Sequence, residues 1–286
     1  MVITKLLTAL FSLLPSKFAN LFLKLLGHKI SWNSKIGLSI LYVKSLTLDK
    51  NSKIGHFNFF KVDSVKLSNQ AVIKNLNFFK GPITVFLGRK SRIGKFNKFT
   101  RAYSPITYGK SSLCIEDGTR ITYDNFFDLT CSISFGKNSQ VAGKGSQFWT
   151  HGYMHDNSGT ERIRVDGEII IGDNVYVGTR CVFNPGVKVY NAINIGGNSV
   201  ISKDLTESGM YVNQSLRYLK KDIQEDPDYI RADQDLYEEM LLGVFKNIDS
   251  LKQEIGAVLQ RVGIEKYKLE TKEKHRQEHQ KFQKML

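Results

Sequence analysis

A period of six residues runs through the second half of this chain of 286 residues. From position 171 the sequence reads IGDNVY-VGTRCV-FNPGVK-VYNAIN-IGGNSV-ISKDLT. Each hexad begins with a large apolar residue: Ile171, Val177, Phe183, Val189, Ile195 and Ile201. An α-helix repeats after about 3.6 residues and a half-buried strand after about two, so neither element explains the pattern. A coil of three short strands does, because each hexad then supplies one strand and one turn, with its first residue pointing inward.

The same rhythm continues upstream in less regular hexads. Coils can be written from Ile30, Leu48, Leu67, Leu87, Ile115 and Phe135, with longer excursions after Ala102 and after His151. Three hexads make a triangular coil, and stacked coils cover each other's apolar faces. Gly and Asn suit the corners, where a positive φ is often needed. The sequence therefore predicts a mainly β protein with a parallel β-helix over residues 30–212.

These hexads resemble those of the left-handed β-helix acyltransferases, also called hexapeptide-repeat transferases. The resemblance is most specific in IIIGDNVYVGTRCVFNPGVKV and IGGNSVISKDL, and weaker before residue 115. Within that family the chain looks most like the sugar O-acetyltransferases of bacterial surface polysaccharides. The resemblance implies a left-handed coil, acetyl-CoA as co-substrate, and a homotrimer with active sites at the subunit interfaces.

The segment QFWTHGYMHD contains two of the six histidines, His151 and His155. In the family that the chain resembles, a His at the end of a coil, just before an extended loop, acts as general base. His151 matches that position, so the resemblance implies that it takes the proton of the acceptor hydroxyl that attacks acetyl-CoA. An imidazole suits this task because its pKa lies near neutrality.

Other roles for the two histidines stay open. The HxxxH spacing places both rings on one face of a helix, but no helix is indicated here and no third ligand is apparent. We therefore expect no metal, although γ-class carbonic anhydrases share the fold and bind zinc through His. His155 is either a contact to the acceptor or a plain loop residue. The imidazole of His151 is oriented by Asp156 or by a backbone carbonyl.

The excursion over residues 152–167 is polar and contains Gly, and in similar enzymes such a loop forms a wall of the acceptor site. Three further polar residues, Asp124, Asn125 and Asp128, lie one coil earlier, where relatives place acceptor contacts. The predicted acceptor-binding residues are Asp124, Asn125, Trp149, Tyr153 and His155.

The resemblance also places the pantetheine arm of CoA between neighbouring subunits. The cofactor-binding residues that it implies are Tyr176, Gly178, Gly196, Gly197, Ser199 and Lys203, the last close to the CoA phosphates. The chain departs from the family twice, with Tyr176 where Trp is usual and Gly197-Asn198 where Ala-Gly is usual.

Residues 1–29 predict two short amphipathic helices that are broken near Pro15 and flanked by lysines. They either contact an anionic membrane face or cap the open end of the β-helix. The net charge is +14, and only Asp49 and Asp63 are acidic before Glu116. Such a surface attracts anions, among which we expect CoA phosphates and lipid but no nucleic acid. No apolar run reaches the roughly 18 residues that span a bilayer.

Residues 213–286 predict a helical extension after the last hexad. An apolar three-four alternation runs over residues 241–262, which is typical of a coiled-coil seam. This seam either extends a homotrimer or folds back onto the β-helix.

Three cysteines without a CxxC spacing argue against a disulfide framework and a zinc site, and fit a reducing compartment. We therefore expect a cytoplasmic enzyme, with peripheral contact to the inner membrane as an option. The expected reaction is acetyl transfer from acetyl-CoA to a sugar hydroxyl of capsule, O-antigen or exopolysaccharide. The alternatives are an amino-sugar N-acyltransferase, a zinc-dependent hydratase of the γ-carbonic anhydrase type, and a non-catalytic β-helix scaffold.

Overall fold

The computed structural model describes residues 2–102, 109–213 and 217–219. The chain begins with two helices, α1 (Val2–Phe11) and α2 (Ser16–Leu25), and then continues in strands. Pro15 stands at the N-cap of α2, where its fixed φ separates the two helices. The two predicted N-terminal helices are therefore confirmed. Within the described residues, neither helix is long and apolar enough to cross a membrane.

The strands form a parallel β-solenoid of about nine turns with three walls. The first wall contains β7 (Phe78–Lys80), β10 (Lys98–Thr100), β13 (Phe126–Asp128), β16 (Gln147–Phe148), β21 (Val182–Phe183) and β24 (Val200–Ile201). The second wall contains β1 (Lys29–Ile30), β8 (Ile83–Leu87), β11 (Ser111–Ile115), β14 (Ile133–Phe135), β19 (Ile169–Ile171) and β22 (Lys188–Val189). The nine-residue strands β3 (Ile40–Leu48) and β5 (Phe59–Leu67) run through both of these walls.

The third wall is a separate sheet. Its strands are β2 (Lys35–Ile36), β4 (Lys53–Ile54), β6 (Val72–Ile73), β9 (Arg92–Ile93), β12 (Arg120–Ile121), β15 (Gln140–Val141), β20 (Tyr176–Val177), β23 (Ile193–Ile195), β25 (Gly209–Val212) and β26 (Arg217–Leu219). A small antiparallel pair, β17 (His151–His155) and β18 (Arg162–Asp166), stands apart from the walls. The predicted parallel β-helix of hexads is thus confirmed.

The first residue of each regular hexad lies in the core, as the period predicts. All six positions from Ile171 to Ile201 are at most 1% exposed. Along the first wall, phenylalanines of successive coils also stack on each other: Phe60, Phe79, Phe99, Phe127, Phe148 and Phe183. Their ring centroids are 4.3–4.7 Å apart. The first wall therefore contributes one continuous column of aromatic contacts to the core, along the coil axis.

A buried polar column runs beside the aromatic one. Asn58, Asn77, Asn97 and Asn125 are each at most 2% exposed. The Oδ1 atom of each accepts the backbone N–H of the equivalent residue in the next coil, at 2.9–3.1 Å. These bonds satisfy amide groups at the corner between the third and first walls, which are buried away from water.

Helices α1 and α2 cover the first coil of the solenoid. Ala19 and Leu23 of α2 are fully buried and join the hydrophobic core. On α1, Thr8 Oγ1 lies 2.8 Å from His28 Nε2. In the turn after α1, Ser12 Oγ donates to the carbonyl of Ser39 at 2.8 Å. The predicted capping of the open end of the β-helix is therefore what the structure shows.

The other end of the solenoid departs from the prediction. Residues 213–286 are predicted to be helical, but residues 217–219 form β26, which pairs antiparallel with β25 and extends the third wall. Residues 214–216 and 220–286 lie outside the described residues. The backbone groups on the outer edge of β25 need partners, and a returning strand supplies them. The predicted coiled-coil seam over residues 241–262 lies outside the described residues.

We expect the aromatic column to dominate stability. Phe99→Ala removes a fully buried ring that stacks on two others, which costs about 3–5 kcal/mol. This corresponds to a drop in the thermal unfolding midpoint on the order of 10 °C. Phe96→Ala is the control, because Phe96 is 50% exposed on the same coil. Equal shifts for the two variants would contradict the column.

We also expect the docking of α1 to weaken in acid. Burial lowers the pKa of His28 below its ordinary value of 6.5, and His28 Nδ1 accepts the N–H of Leu46, so the folded state holds the neutral ring. His28 then binds a proton more tightly in the unfolded chain than in the folded one. Its contribution to the free energy of unfolding is therefore complete above pH 6.5 and falls as the pH drops below that value. Between about pH 7.5 and pH 5, the unfolding midpoint should fall further for the wild type than for His28→Gln. His155→Gln, at an exposed position, should retain the wild-type profile.

Candidate active site

His151 lies where the chain leaves the first wall and passes to the second. Strand β16 ends at Phe148, and the hairpin β17–β18 intervenes before β19 resumes the second wall. The coil before it contributes β13, which pairs with β16 so that Phe127 lies opposite Phe148. This register places Asp128 opposite Trp149 at the same corner. His151 and Asp128 are therefore brought together from adjacent coils.

A short hydrogen bond joins these two side chains. His151 Nδ1 is 2.7 Å from Asp128 Oδ2. Asp128 is buried, and its carboxylate is held by Thr130 Oγ1, which donates to Oδ1 at 2.9 Å, and by the backbone N–H of Thr150, which donates to Oδ2 at 3.1 Å. Both donors lie in the solenoid walls or at their corner, where the backbone is held by the ladder. The carboxylate of Asp128 is therefore positioned without any bound ligand.

The contact with Asp128 determines the tautomer of His151. An ionised carboxylate only accepts hydrogen bonds, so Nδ1 of the imidazole carries the proton. The neutral ring then has Nε2 as its free acceptor. Because 31% of the His151 side chain is exposed, the ring lies at the protein surface and can receive a proton from an external hydroxyl.

Two aromatic rings flank His151 edge-on. The ring centroid of Trp149 is 6.5 Å from that of His151, and the centroid of Tyr153 is 6.1 Å from it. Trp149 is held in turn by Phe126, at 4.8 Å between centroids, and by a hydrogen bond from its Nε1 to Gln147 Oε1. Both predicted aromatic residues are thus placed around the imidazole.

The predicted polar excursion over residues 152–167 is an antiparallel hairpin. His151 pairs with Asp166 and His155 with Arg162. Arg162 also lies over the ring of Tyr153, at 5.3 Å from its centroid. Next to it, Arg164 Nε donates to Asp166 Oδ1 at 2.7 Å, and this bond raises the pKa of the guanidinium.

The hairpin separates the two histidines of the HxxxH motif. Four residues of extended chain span about 13 Å, which is far too long for both rings to bind one metal ion. Among the described residues, no group of three His, Cys, Asp or Glu side chains could hold a metal. His155 is exposed near the tip of the hairpin, away from the pair formed by His151 and Asp128.

The residue that orients His151 differs from both sequence-based candidates. Asp156 is exposed, and its Oδ1 accepts the N–H of Asn157 in the hairpin tip. Asp128 performs the orienting role because the coil register, and not proximity in sequence, decides which carboxylate faces the ring.

Two predicted acceptor contacts lie elsewhere. Asn125 is 2% exposed and belongs to the buried polar column, so it has a structural role and not the predicted contact. Asp124 is exposed but lies at the bend before β13, whereas Asp128 is the last residue of that strand. There it lines a shallow cavity with Lys98 and Gln147.

The predicted cofactor residues fall into separate places within one chain. Tyr176 and Gly178 lie at the corner between the third and first walls, which is also the corner of Asp124. A Cβ atom on Gly178 would lie 2.6 Å from the backbone nitrogen of Gly197, so these glycines allow neighbouring coils to approach closely. The N–H of Gly196 donates to the carbonyl of Tyr211 and so joins this coil to the next one along the third wall.

Ser199 and Lys203 differ from that group. Ser199 is fully buried and donates to the carbonyl of Gly196 at 2.7 Å, so the predicted contact with CoA is replaced by a structural role. Lys203 is exposed and follows β24, two coils beyond β16 at the corner of His151. Two coils correspond to about 10 Å along the axis.

No protein-family model matches the chain. Solved structures similar to it include a maltose O-acetyltransferase from Clostridium difficile 630, with 25% identity over 47% of this chain and 68% of that one, and a TM-score of 0.39. The polysialic acid O-acetyltransferase OatWY has 19% identity over 74% of this chain and 94% of its own, with a TM-score of 0.46. AntD, an N-acyltransferase from Bacillus cereus bound to a dTDP-amino sugar and coenzyme A, has 16% identity over 62% and 87%, with a TM-score of 0.41. These similarities cover only part of the chain, so its function has to be inferred from the residues around His151.

We expect nitrogen-15 NMR of labelled histidine to find neutral His151 with its proton on Nδ1. Free neutral histidine prefers the proton on Nε2, so the hydrogen bond to Asp128 should reverse that preference. Asp128→Ala should return His151 to the Nε2–H form, while exposed His155 serves as the internal reference. A tautomer that does not respond to the substitution would contradict the orienting role of Asp128.

Proposed function

We propose that this protein transfers an acetyl group from acetyl-CoA to a hydroxyl of a sugar in a bacterial surface polysaccharide. The observation that carries the proposal is the pair of His151 and Asp128, at 2.7 Å, on an exposed corner of a hexapeptide-repeat solenoid. A hydroxyl is a poor nucleophile at neutral pH, and a fixed imidazole with an unprotonated Nε2 is the group that such a reaction needs.

In the proposed reaction, His151 Nε2 takes the proton of the sugar hydroxyl while the oxygen attacks the thioester carbon of acetyl-CoA. The resulting tetrahedral intermediate collapses, the carbon–sulfur bond breaks, and the CoA thiolate leaves. The imidazolium of His151 returns its proton to the sulfur, so no other acid is required. Asp128 stabilises the imidazolium between these steps through its bond to Nδ1.

The surroundings of His151 suit a sugar acceptor. Trp149 and Tyr153 offer amphipathic ring surfaces on either side of the imidazole, with both a flat apolar face and a polar group. Tyr153 is 47% exposed, and Arg162 lies against it, so a cationic donor of hydrogen bonds is close to the same surface. Sugar hydroxyls or carboxylates can bind such a donor.

For the acetyl donor, acetyl-CoA, we propose that Lys203 contacts the phosphates, because Lys203 is exposed at the corner of His151. Tyr176 and Gly178 lie on a different corner of the same chain, so they reach a shared CoA molecule only if a neighbouring subunit supplies that corner. We therefore propose a homotrimer in which each site is built from two chains.

The first experiment measures release of the CoA thiol from acetyl-CoA by metal-stripped protein, with a panel of sugars, amino sugars and oligosaccharides. Acceptor-dependent release should fall by about 10²–10⁴-fold in His151→Ala. Asp128→Asn should lower kcat by about tenfold or more, because it no longer fixes the tautomer. His56→Ala, an exposed histidine near the first coils, should retain full activity.

Each other outcome is informative. Release that requires an amino sugar would replace O-acetylation by N-acylation, and release that survives His151→Ala would remove its role as base. Absence of thiol release, together with no rise in the unfolding midpoint on adding CoA, would contradict the proposal that acetyl-CoA is the donor. Zinc-dependent hydration of carbon dioxide by protein that releases no CoA thiol would favour the hydratase.

A further inference from the structure

The two N-terminal helices expose their apolar side chains. On α1 and the turn after it, Ile3, Leu6, Leu10 and Leu13 follow each other at three- and four-residue steps and are 43–72% exposed. On α2, Phe18, Leu21 and Leu25 do the same, at 42–75%. This spacing gathers them into one stripe on each helix. Trp32, 63% exposed, lies beside them, and we call this set the outer face.

The inner side of α1 combines buried hydroxyl groups with Phe11, which packs against the hydrophobic core. Thr8 and Ser12 are fully buried, and their hydroxyls contact His28 and the backbone of Ser39 and Leu41. A surface helix in water normally buries its apolar side and exposes its polar one. Here hydrogen bonds and Phe11 hold the helix to the solenoid, while Leu6 and Leu10 remain exposed although they are apolar. An exposed apolar surface of this kind indicates an interaction site.

The charges around the outer face favour an anionic partner. Residues 1–48 contain six lysines and no Asp or Glu. Lys17 is exposed on α2, and Lys24 Nζ lies 3.6 Å from the ring centroid of Trp32. A second copy of this chain would bring like charges together across the contact, which disfavours a dimer through this surface.

We propose that the outer face binds an anionic lipid bilayer. Each helix is about 15 Å long, too short to cross the membrane, and would lie in its plane with the leucines and Phe18 among the acyl chains. The lysines would contact the headgroups, and Trp32 would lie at the interface, where indole rings are enriched. The helices thus cap the solenoid and dock it, and the inference does not depend on the proposed acetyl transfer.

The test is flotation of the full-length protein with two kinds of vesicle. One contains phosphatidylcholine only, and the other contains equal parts of phosphatidylcholine and phosphatidylglycerol. We expect binding to the anionic vesicles that weakens as salt is added. The double variant Leu6→Gln with Leu10→Gln should reduce partitioning by about tenfold or more. Ile170→Gln, at an exposed aliphatic residue on the second wall, should bind like the wild type.

The charge contribution is tested separately. Lys17→Gln and Lys24→Gln should each weaken binding to the anionic vesicles by roughly fivefold and leave binding to neutral vesicles unchanged. The control Lys95→Gln, on an exposed turn several coils away, should have no such effect. Unfolding midpoints close to that of the wild type would show that the variants fold, because the replaced leucines are exposed.

Absence of flotation with anionic vesicles would overturn the proposal, as would flotation that the leucine variant does not weaken. Light scattering distinguishes the alternative occupant. If the wild type forms a larger assembly that Leu6→Gln with Leu10→Gln converts to a smaller one, and neither floats, a second copy covers the outer face instead of lipid.

Discussion

The parallel ladder between successive coils is the constraint on which the rest of this structure depends. Its spacing of about 4.8 Å brings equivalent residues of successive coils into direct contact, so each must pack against or bond to the residue above and the residue below. The phenylalanine column and the asparagine column are two solutions to that constraint, one for the hydrophobic core and one for the amides of a corner. Insertions are tolerated only where the chain turns between walls, since there the ladder is interrupted anyway.

The candidate active site lies at one of these insertions, the corner after β16. The hairpin after β16 leaves the solenoid at a corner, and His151 stands at the point of departure. Its partner comes from the preceding coil, so the distance between Asp128 and His151 is set by the ladder and not by a flexible loop. A base that is positioned in this way needs little reorganisation when the substrate binds. The hairpin adds Tyr153 and Arg162, whose exposed positions can vary without disturbing the core.

Much of this architecture could be predicted from the sequence, because a period of six with apolar first residues has few physical explanations. The role proposed for His151 was suggested by a resemblance to known enzymes. Asp128 was missed as its partner, although aligning the buried phenylalanines Phe127 and Phe148 would have placed it beside Trp149. Asn125 and Ser199 were assigned to ligands by the resemblance, but their side chains are buried, because the corners of a solenoid also need polar groups inside. The strand β26 carries no hexad signal, since it pairs antiparallel with an edge.

The stacked coils also fix the distance between the N-terminal helices and His151. Helices α1 and α2 are fixed to the first coil, and five ladder steps separate β3 from β16, which carries His151 at its end. Those steps amount to about 24 Å along the axis. Because a coil cannot be stretched, this separation can change only by whole coils, each gained or lost coil moving the imidazole by about 4.8 Å. The number of coils thus sets the distance between the N-terminal helices and His151. In related solenoids with more or fewer coils, this distance would differ by whole multiples of the coil spacing.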